Sequence, residues 1–350
     1  MMIILAGDIG GTKTLLRLVS KESDDFTVIY EERFASANYV SFDDLLQSFL
    51  VNAKTAFWEL ASISTACFGV AGPVRDRKSQ LTNLGWALDC DRIAINLGID
   101  NGKVSLINDF VAVGYGVLGL QTNDLYTLQA GQVIERAPIG VIGSGTGLGE
   151  AFLGWCDDRY EVYPTEGGHT DFAPRNDLEI DLLQYLRKRH DRVSVERVVS
   201  GVGIVAIYQF LRDRQFAPES AEVAEQVRRW ESGDLNADAA AAIANAALVN
   251  CGINSATNTD HLATQTMQMF VEAYAAEVGN FALKLIPNGG LYIAGGIIAK
   301  ILPLIQDGKF LQILQAKGRV SPVLADLPIY IVLNQEVGLI GAMIYGASLI

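Results

Sequence analysis

Apolar positions along the chain fall into two patterns. Short unbroken runs read as buried strands, and residues spaced three or four apart read as helix faces. The first run, Met2 to Ala6, ends in Gly7-Asp8 and is followed by a tight turn, Ile9-Gly10-Gly11-Thr12. Thr14 to Val19 then reads as a second strand, so the chain opens with a hairpin. Ser41 to Leu60 has helical spacing through Phe42, Leu45, Leu46, Phe49, Ala53, Phe57 and Leu60. Ser41 with Asp44 three residues on resembles a capping box. Ile63 to Val70 and Val104 to Ile107 are further strands, the second running directly into Asn108-Asp109 and a short helix from Phe110 to about Leu118.

The second half opens as the first does. Ile139 to Ile142 is an apolar strand, Gly143 to Gly149 (GSGTGLG) is a glycine turn, and Glu150 to Trp155 is the returning strand. Two such hairpins, about 135 residues apart, suggest an internal duplication. Helices are predicted near 177–190, 195–213, 219–231, 236–250 and 260–286. Gly290 to Ala294 is a strand, Gly295-Gly296 a turn, and a helix runs on to about Ile305. Leu327 to Leu333 is a strand, and a last helix runs from about Val337 to the end. Strands alternating with helices make the fold α/β.

Composition adds exclusions. The 350 residues carry 27 basic and 40 acidic side chains, a net charge of −13. A field of that sign repels phosphate backbones, so no nucleic-acid partner is expected. Cys67, Cys90, Cys156 and Cys251 are scattered, with no zinc-ribbon spacing, and read as reduced, buried thiols of a cytoplasmic protein. The N-terminal apolar run lacks a basic flank and is broken by Asp8, which is not the pattern of a signal peptide. Ala239 to Thr259 is uncharged, but asparagines interrupt it, so it reads as a helix giving way to a polar segment, and no membrane association is expected. Glycine is in surplus: 34 residues, where an average of roughly 7 % would give about 25.

Glycine turns let backbone N–H groups converge on an oxyanion, and they also simply close hairpins. Familiar phosphate motifs are absent. Gly98 to Lys103 is one residue short of a Walker A loop, GSGTGL fails the dinucleotide fingerprint at its sixth position, and Gly201 to Ala206 has helical spacing with no strand before it.

Gly7 to Thr14 (GDIGGTKT) resembles the first phosphate motif of sugar kinases in the actin, hexokinase and heat-shock ATPase superfamily. Gly143 to Gly149 resembles the second phosphate motif, and Gly289 to Ile297 the adenosine motif. Leu106 to Phe110, Glu166 to Pro174 and Val193 to Gly201 are similar to segments of the bacterial ATP-dependent glucokinases, in family order from residue 5 to 350. The resemblance implies a two-domain actin-like (ribonuclease H-like) ATPase fold with an interdomain cleft. The expected domains are 1–118 plus 336–350, and 119–335.

The reaction implied is ATP plus D-glucose to ADP and glucose 6-phosphate. Asp109 is the implied general base for the sugar 6-hydroxyl. Asn83, Asn108, Glu166, His169 and Glu196 join Asp109 as implied sugar-binding residues. An Asp directly before Phe110 also reads as a helix cap. Asp8 would hold Mg²⁺, directly or through water. Gly10, Gly11, Thr12, Lys13, Gly145, Thr146 and Gly147 would take the phosphates, and Gly295 and Gly296 would let adenine approach the backbone. A homodimer is implied by the resemblance. The related ROK sugar kinases carry a cysteine-rich zinc motif after a Gly-His pair; here Gly168-His169 is followed by no cysteine, so no structural zinc is expected. The first motif starts at residue 7, so the DNA-binding domain of the ROK repressors is not expected. Other readings are a hexokinase for fructose, mannose or an amino sugar, one using polyphosphate, a non-catalytic sugar- and ATP-binding regulator, and an actin-like structural ATPase.

Overall fold

The computed structural model describes residues 2–23, 25–56, 62–234, 236–249 and 260–349. Phe57 and Leu60 of the first predicted helix, Cys251 and the polar segment 250–259 lie outside the described residues. In chain order the strands and helices are β1 (Met2–Ile9), β2 (Lys13–Glu22), β3 (Asp25–Ala35), α1 (Phe42–Ala56), β4 (Thr65–Val70), β5 (Val74–Arg75), β6 (Lys78–Leu81), β7 (Trp86–Asp89), α2 (Cys90–Leu97), β8 (Val104–Asn108) and α3 (Asp109–Gly116). Next come β9 (Leu125–Gln129), β10 (Ile139–Ser144), β11 (Leu148–Cys156), β12 (Arg159–Thr165), α4 (Asp177–Leu186), α5 (Gly201–Asp213), α6 (Ala221–Glu231), α7 (Ala239–Val249) and α8 (His261–Leu285). The chain ends with β13 (Gly290–Ala294), α9 (Lys309–Gln315), α10 (Pro322–Ala325), β14 (Ile329–Val332) and α11 (Val337–Ala347). The chain divides into two units: Met1–Asp124 with Val162–Pro164 and Asn334–Ile350, and Leu125–Glu161 with Thr165–Leu333.

In the first unit, a sheet runs β3-β2-β1-β4-β8. β1 is antiparallel to β2, closing at Ile9 opposite Thr14, and parallel to β4. β4 is in turn parallel to β8, with Val70 opposite Asn108. Central strands covered on both faces must be apolar throughout, and β4 (TACFGV) is buried at every position. One face is covered by Phe42, Leu45, Leu46 and Phe49 of α1, packed with Phe68 and Trp86. On the other, Leu339, Ala342 and Met343 of α11 pack with Ile4, Ala6, Cys67 and Ala112. The Ser41 cap is present: the Asp44 N–H donates to Ser41 Oγ at 3.2 Å, and the Ser41 hydroxyl donates back to the Asp44 carboxylate at 2.7 Å.

In the second unit the order is β12-β11-β10-β13-β14-β9. β10 is antiparallel to β11, closing at Ser144 opposite Leu148, and parallel to β13, which is parallel to β14. Apart from the antiparallel β9 at one edge, this repeats the first sheet: two returning strands, a central strand, then two parallel strands. The duplication suggested by the two hairpins therefore extends to whole sheets. The long helix α8 is buried along much of its length and forms the centre of this unit's core with Tyr208 and Phe210 of α5, Phe310 and Ile293.

Several predicted elements differ. β1 runs through Gly7 and Asp8 to Ile9, so the turn is only Gly10–Thr12. The helix expected from Gly296 to Ile305 is a series of turns with a single 3-10 segment, Leu302–Leu304. Pro303 contributes to this, since it has no N–H to donate and cannot sit inside a continuous α-helix, though it is accepted at the start of the 3-10 turn. The predicted start of α5 at 195 is instead a separate 3-10 turn, Val195–Arg197. Cys156 is exposed rather than buried, because it ends β11 beyond the packed face. No helix among the described residues is long and apolar enough to cross a membrane.

Candidate active site

The first unit's site residues collect at the C-terminal ends of its parallel strands, where open α/β sheets present ligand sites. Asp8 lies beside Gly69 in the register, and Gly69 beside Ile107, one residue before Asn108. Asn108, not Asp109, is the cap of α3. Its Oδ1 accepts the N–H groups of Phe110 at 2.9 Å and Val111 at 3.3 Å. Its Nδ2 donates to Asp109 Oδ1 at 2.9 Å and to the Gly72 carbonyl at 3.3 Å. Asp109 Oδ1 also accepts its neighbour's N–H, from Phe110, at 2.9 Å. Both donors thus converge on one oxygen, and Oδ2 receives none from the described residues. Asp109 is open to solvent on one side, yet the protein around it raises its carboxyl above the usual range. Asp8 is pushed up to about 6, first by burial and then by the negative charge of Asp109.

The first glycine turn is fastened from outside the hairpin. The Gly10 N–H closes onto the Lys13 carbonyl at 3.0 Å. The buried Ser36 hydroxyl donates to the Gly10 carbonyl at 2.9 Å and lies 3.0 Å from the Thr14 hydroxyl, and the Ser36 N–H reaches the Thr12 carbonyl. Thr12 and Lys13 are exposed at the tip. A Cβ on Gly11 would overlap the Asn83 side-chain amide, which places Asn83 directly on the turn.

The second unit brings together the rest. Glu166 and His169 bracket the 3-10 turn Gly167–His169, and Glu196 sits in the turn Val195–Arg197. Backbone pairing zips the two turns together: Phe172 N–H to the Val193 carbonyl at 3.0 Å and Val195 N–H to the Thr170 carbonyl at 2.9 Å. His169 Nε2 is 3.8 Å from Glu166 Oε2, and His169 Nδ1 is 3.7 Å from Glu196 Oε1. Such a set accepts from, and donates to, vicinal hydroxyls. Glu196 Oε2 accepts the Leu148 N–H at 2.9 Å, and the Ser200 hydroxyl, capping α5, donates to the Glu196 carbonyl at 2.7 Å. The Gly201 N–H donates to the Gly145 carbonyl at 2.9 Å. Through these bonds Glu196 is tied to the second glycine turn.

Glycine is required here mainly by close packing within the chain. A Cβ on Gly147 would overlap the Glu196 carboxylate, and one on Gly168 the Leu148 carbonyl. Gly145 faces open space. Gly295, at φ +94°, lies against the Ser144 carbonyl, which also accepts the Ile297 N–H at 3.4 Å. The Gly295-Gly296 turn therefore rests on the second glycine hairpin. Beside that turn is a cavity of about 160 Å³ lined by Thr146, Gly201, Val205, Trp230 and Ala240. Sequence reasoning missed Trp230, which nothing in its surroundings distinguishes from a helix-face aromatic. Ser36 and Arg192 were missed as well. Arg192 Nη1 donates to the His169 carbonyl at 2.5 Å and to Asp171 Oδ1 at 3.0 Å.

Two sheets of one strand order, each opening through a glycine hairpin, with a polar sugar-type constellation beside the second, define a sugar kinase of the actin-like ATPase fold. A family model described as Glucokinase matches residues 5–349. The chain is 52 % identical to a glucokinase of Nostoc punctiforme, covering 100 % of both. A crystal structure of a glucokinase from an Antarctic psychrotroph superimposes with a TM-score of 0.80 at 27 % identity, covering 99 % of each chain. A Balamuthia mandrillaris glucokinase solved in complex with glucose has a TM-score of 0.73 at 21 % identity, covering 99 % of this chain and 94 % of that one, a likeness of fold. The chain belongs to the glucokinase family.

Proposed function

We propose that this protein transfers the γ-phosphoryl group of ATP to the 6-hydroxyl of D-glucose, with Asp109 as the general base. The match to the glucokinase family across nearly the whole chain carries the reaction. The arrangement at Asp109 supports its role. Asn108 and the Phe110 N–H hold Oδ1, which leaves Oδ2 to accept the hydroxyl proton as attack proceeds. The raised Asp109 carboxyl makes a better proton acceptor than an ordinary aspartate.

In this reading Glu166, His169 and Glu196 hold sugar hydroxyls, and Asn83, Asn108 and Asp109 are also sugar-binding residues. The triphosphate is met by the two glycine turns, Gly10 to Lys13 and Gly145 to Gly147. The nucleoside takes the cavity beside Trp230, with Gly295 and Gly296 shaping the adjoining backbone. Asp8 fits a divalent cation. No described residue donates a hydrogen bond to its carboxylate, and the neighbouring Asp109 charge would be relieved by one. Among the described residues no cluster of three or more acidic, histidine or cysteine side chains is placed to hold a metal, so Asp8 would hold Mg²⁺ with water and phosphate oxygens completing the shell. When bound, Mg²⁺ neutralises phosphate charge. On the family resemblance the enzyme works as a cytoplasmic homodimer supplying glycolysis.

A phosphorylation assay of the purified protein tests this, with glucose, fructose, mannose and glucosamine against ATP, ADP and polyphosphate, each with and without Mg²⁺. Glucose with ATP and Mg²⁺ is the expected best combination. No transfer to glucose from ATP would reject the reading.

A further inference from the structure

Two buried acids beneath the Glu166–His169 turn are unused by the mechanism above. Glu150 on β11 is 3 % exposed and Glu277 on α8 is 5 % exposed. The Oε1 atom of each has no hydrogen-bond partner among the described residues. Glu277 Oε2 accepts from Asn280 Nδ2 at 2.9 Å. The nearby Lys317 ammonium is bonded to the Asn280 and Ala276 carbonyl oxygens at 2.6 and 2.9 Å, and forms no ion pair with Glu277. Lys284, also on α8, acts on both acids only at a distance. Two buried carboxylates near one another, with no cation in contact among the described residues, are strongly disfavoured when both are ionised, which favours retention of a proton.

Glu150 is joined to the turn above it in two ways. Its side-chain carboxylate lies so close to Gly167 that a Cβ there would overlap it. Its main-chain carbonyl accepts the Thr165 hydroxyl at 3.3 Å, and Thr165 Oγ1 accepts the Gly167 N–H at 3.1 Å. Gly167 begins the turn that Glu166 and His169 bracket. The groups facing Glu150 are therefore Thr165 and Gly167 from the turn, with Glu277, Tyr274 and Lys284 from α8.

We infer that Glu150 is a positioning residue for sugar binding: protonated, within the field of Glu277, it seats the Gly167 turn, and loss of the proton unseats it. The inference rests on Glu166 and His169 holding the sugar. A carboxylate charge formed against the aliphatic Gly167 must be rehydrated, which moves the turn and the residues on it. Burial, and then the Glu277 charge, push the Glu150 carboxyl up to about 7, which puts the change within the working range of a cytoplasmic enzyme.

The test is the glucose Kd by calorimetry, and KM and kcat for glucose at saturating ATP, from pH 6 to 8.5, for the wild type, Glu150→Gln and Glu277→Gln. For the wild type, Kd and KM should rise roughly tenfold through pH 7, the effect of about one pK unit of coupling. Glu150→Gln, a permanent mimic of the protonated form, should keep the low-pH affinity throughout. Glu277→Gln removes the neighbouring charge and should move the rise to lower pH. The pH profile of kcat should be shared by all three. A wild-type Kd that is flat from pH 6 to 8.5 overturns the inference even if the variants do not fold. So does a Glu150→Gln protein whose Kd climbs in parallel with the wild type. Glucose binding without phosphorylation rejects the functional reading and leaves the Kd series to decide this one; absence of glucose binding at every pH rejects both.

Discussion

Asn108 Nδ2 donates to Asp109 Oδ1 at 2.9 Å, while the Asn108 carbonyl oxygen caps the helix that Asp109 begins. One amide thus fixes both the start of α3 and the orientation of the carboxylate. Asp109→Asn should keep glucose binding and lose ~10²–10⁴-fold in kcat, as removal of a positioned base does. Steady-state kinetics with calorimetric glucose binding check this; a variant retaining more than about a tenth of kcat removes Asp109 from the role. Asn108→Ala should lower kcat through the freed Asp109 and cost about 1 kcal/mol for the lost cap, read by urea denaturation.

Glu166 and Glu196 should separate in kinetics. Glu166 is 90 % exposed and stands 3.8 Å from His169, whereas Glu196 also accepts the N–H of Leu148 beside the second glycine turn. Glu166→Gln should raise KM for glucose alone. Glu196→Ala should raise KM for both glucose and ATP, because it leaves the Leu148 N–H unpaired and the turn unbraced. Equal effects of the two substitutions on both constants would contradict this division.

Ser36 supports the first glycine turn through a buried hydroxyl. Ser36→Ala should destabilise the protein by roughly 1–3 kcal/mol, the penalty for orphaning buried partners. It should also raise KM for ATP with little change for glucose. A thermal melt and the two KM values are sufficient readouts.

Glu150 makes a stability prediction of definite sign. Its folded carboxyl stands near 7 against an ordinary 4.5, so between those values the folded state keeps a proton the unfolded chain has released. Stability contributed by this group is therefore full below about 4.5 and falls as pH rises to 7, by roughly 3 kcal/mol at most. Glu150→Gln should match the wild type near pH 4.5 and exceed it at pH 8. Denaturant midpoints at the two values measure the difference, and equal midpoints at pH 8 would count against a buried, costly charge.

Asp8→Asn should raise the Mg²⁺ concentration needed for half-maximal activity about tenfold or more, while leaving glucose affinity intact. A Mg²⁺ titration at fixed ATP reads this directly.

The hairpins were legible because glycines cluster between two short apolar runs. Asp109 was singled out by the resemblance and by its place just past the short strand Val104 to Ile107. β3 was not, since it is the edge strand and mostly exposed, so its charged residues hide the alternation that burial would impose. The alternative reading of Asp109 as a helix cap falls one residue late, since Asn108 holds that position, the kind of offset helix ends invite. At Gly11, Gly147, Gly167 and Gly168 the missing Cβ makes room for Asn83, Glu196, Glu150 and the Leu148 carbonyl, and only coordinates could show which neighbour each one faces. Glu150 and Glu277 lie far apart in sequence and on different elements, so no spacing rule could pair them.

The repeated sheet plan has an electrical consequence. After the leading glycine of the first motif stands Asp8, a carboxylate with no donor from the described residues; after that of the second stands Ser144, buried, its hydroxyl donated to the Val199 carbonyl and its N–H to Tyr274. One copy of the plan ends in an unmet negative charge and the other in a neutral, satisfied group. At this one position a backbone built twice carries a charge once, so the difference between the two strand ends comes from a single side chain and not from a difference in architecture.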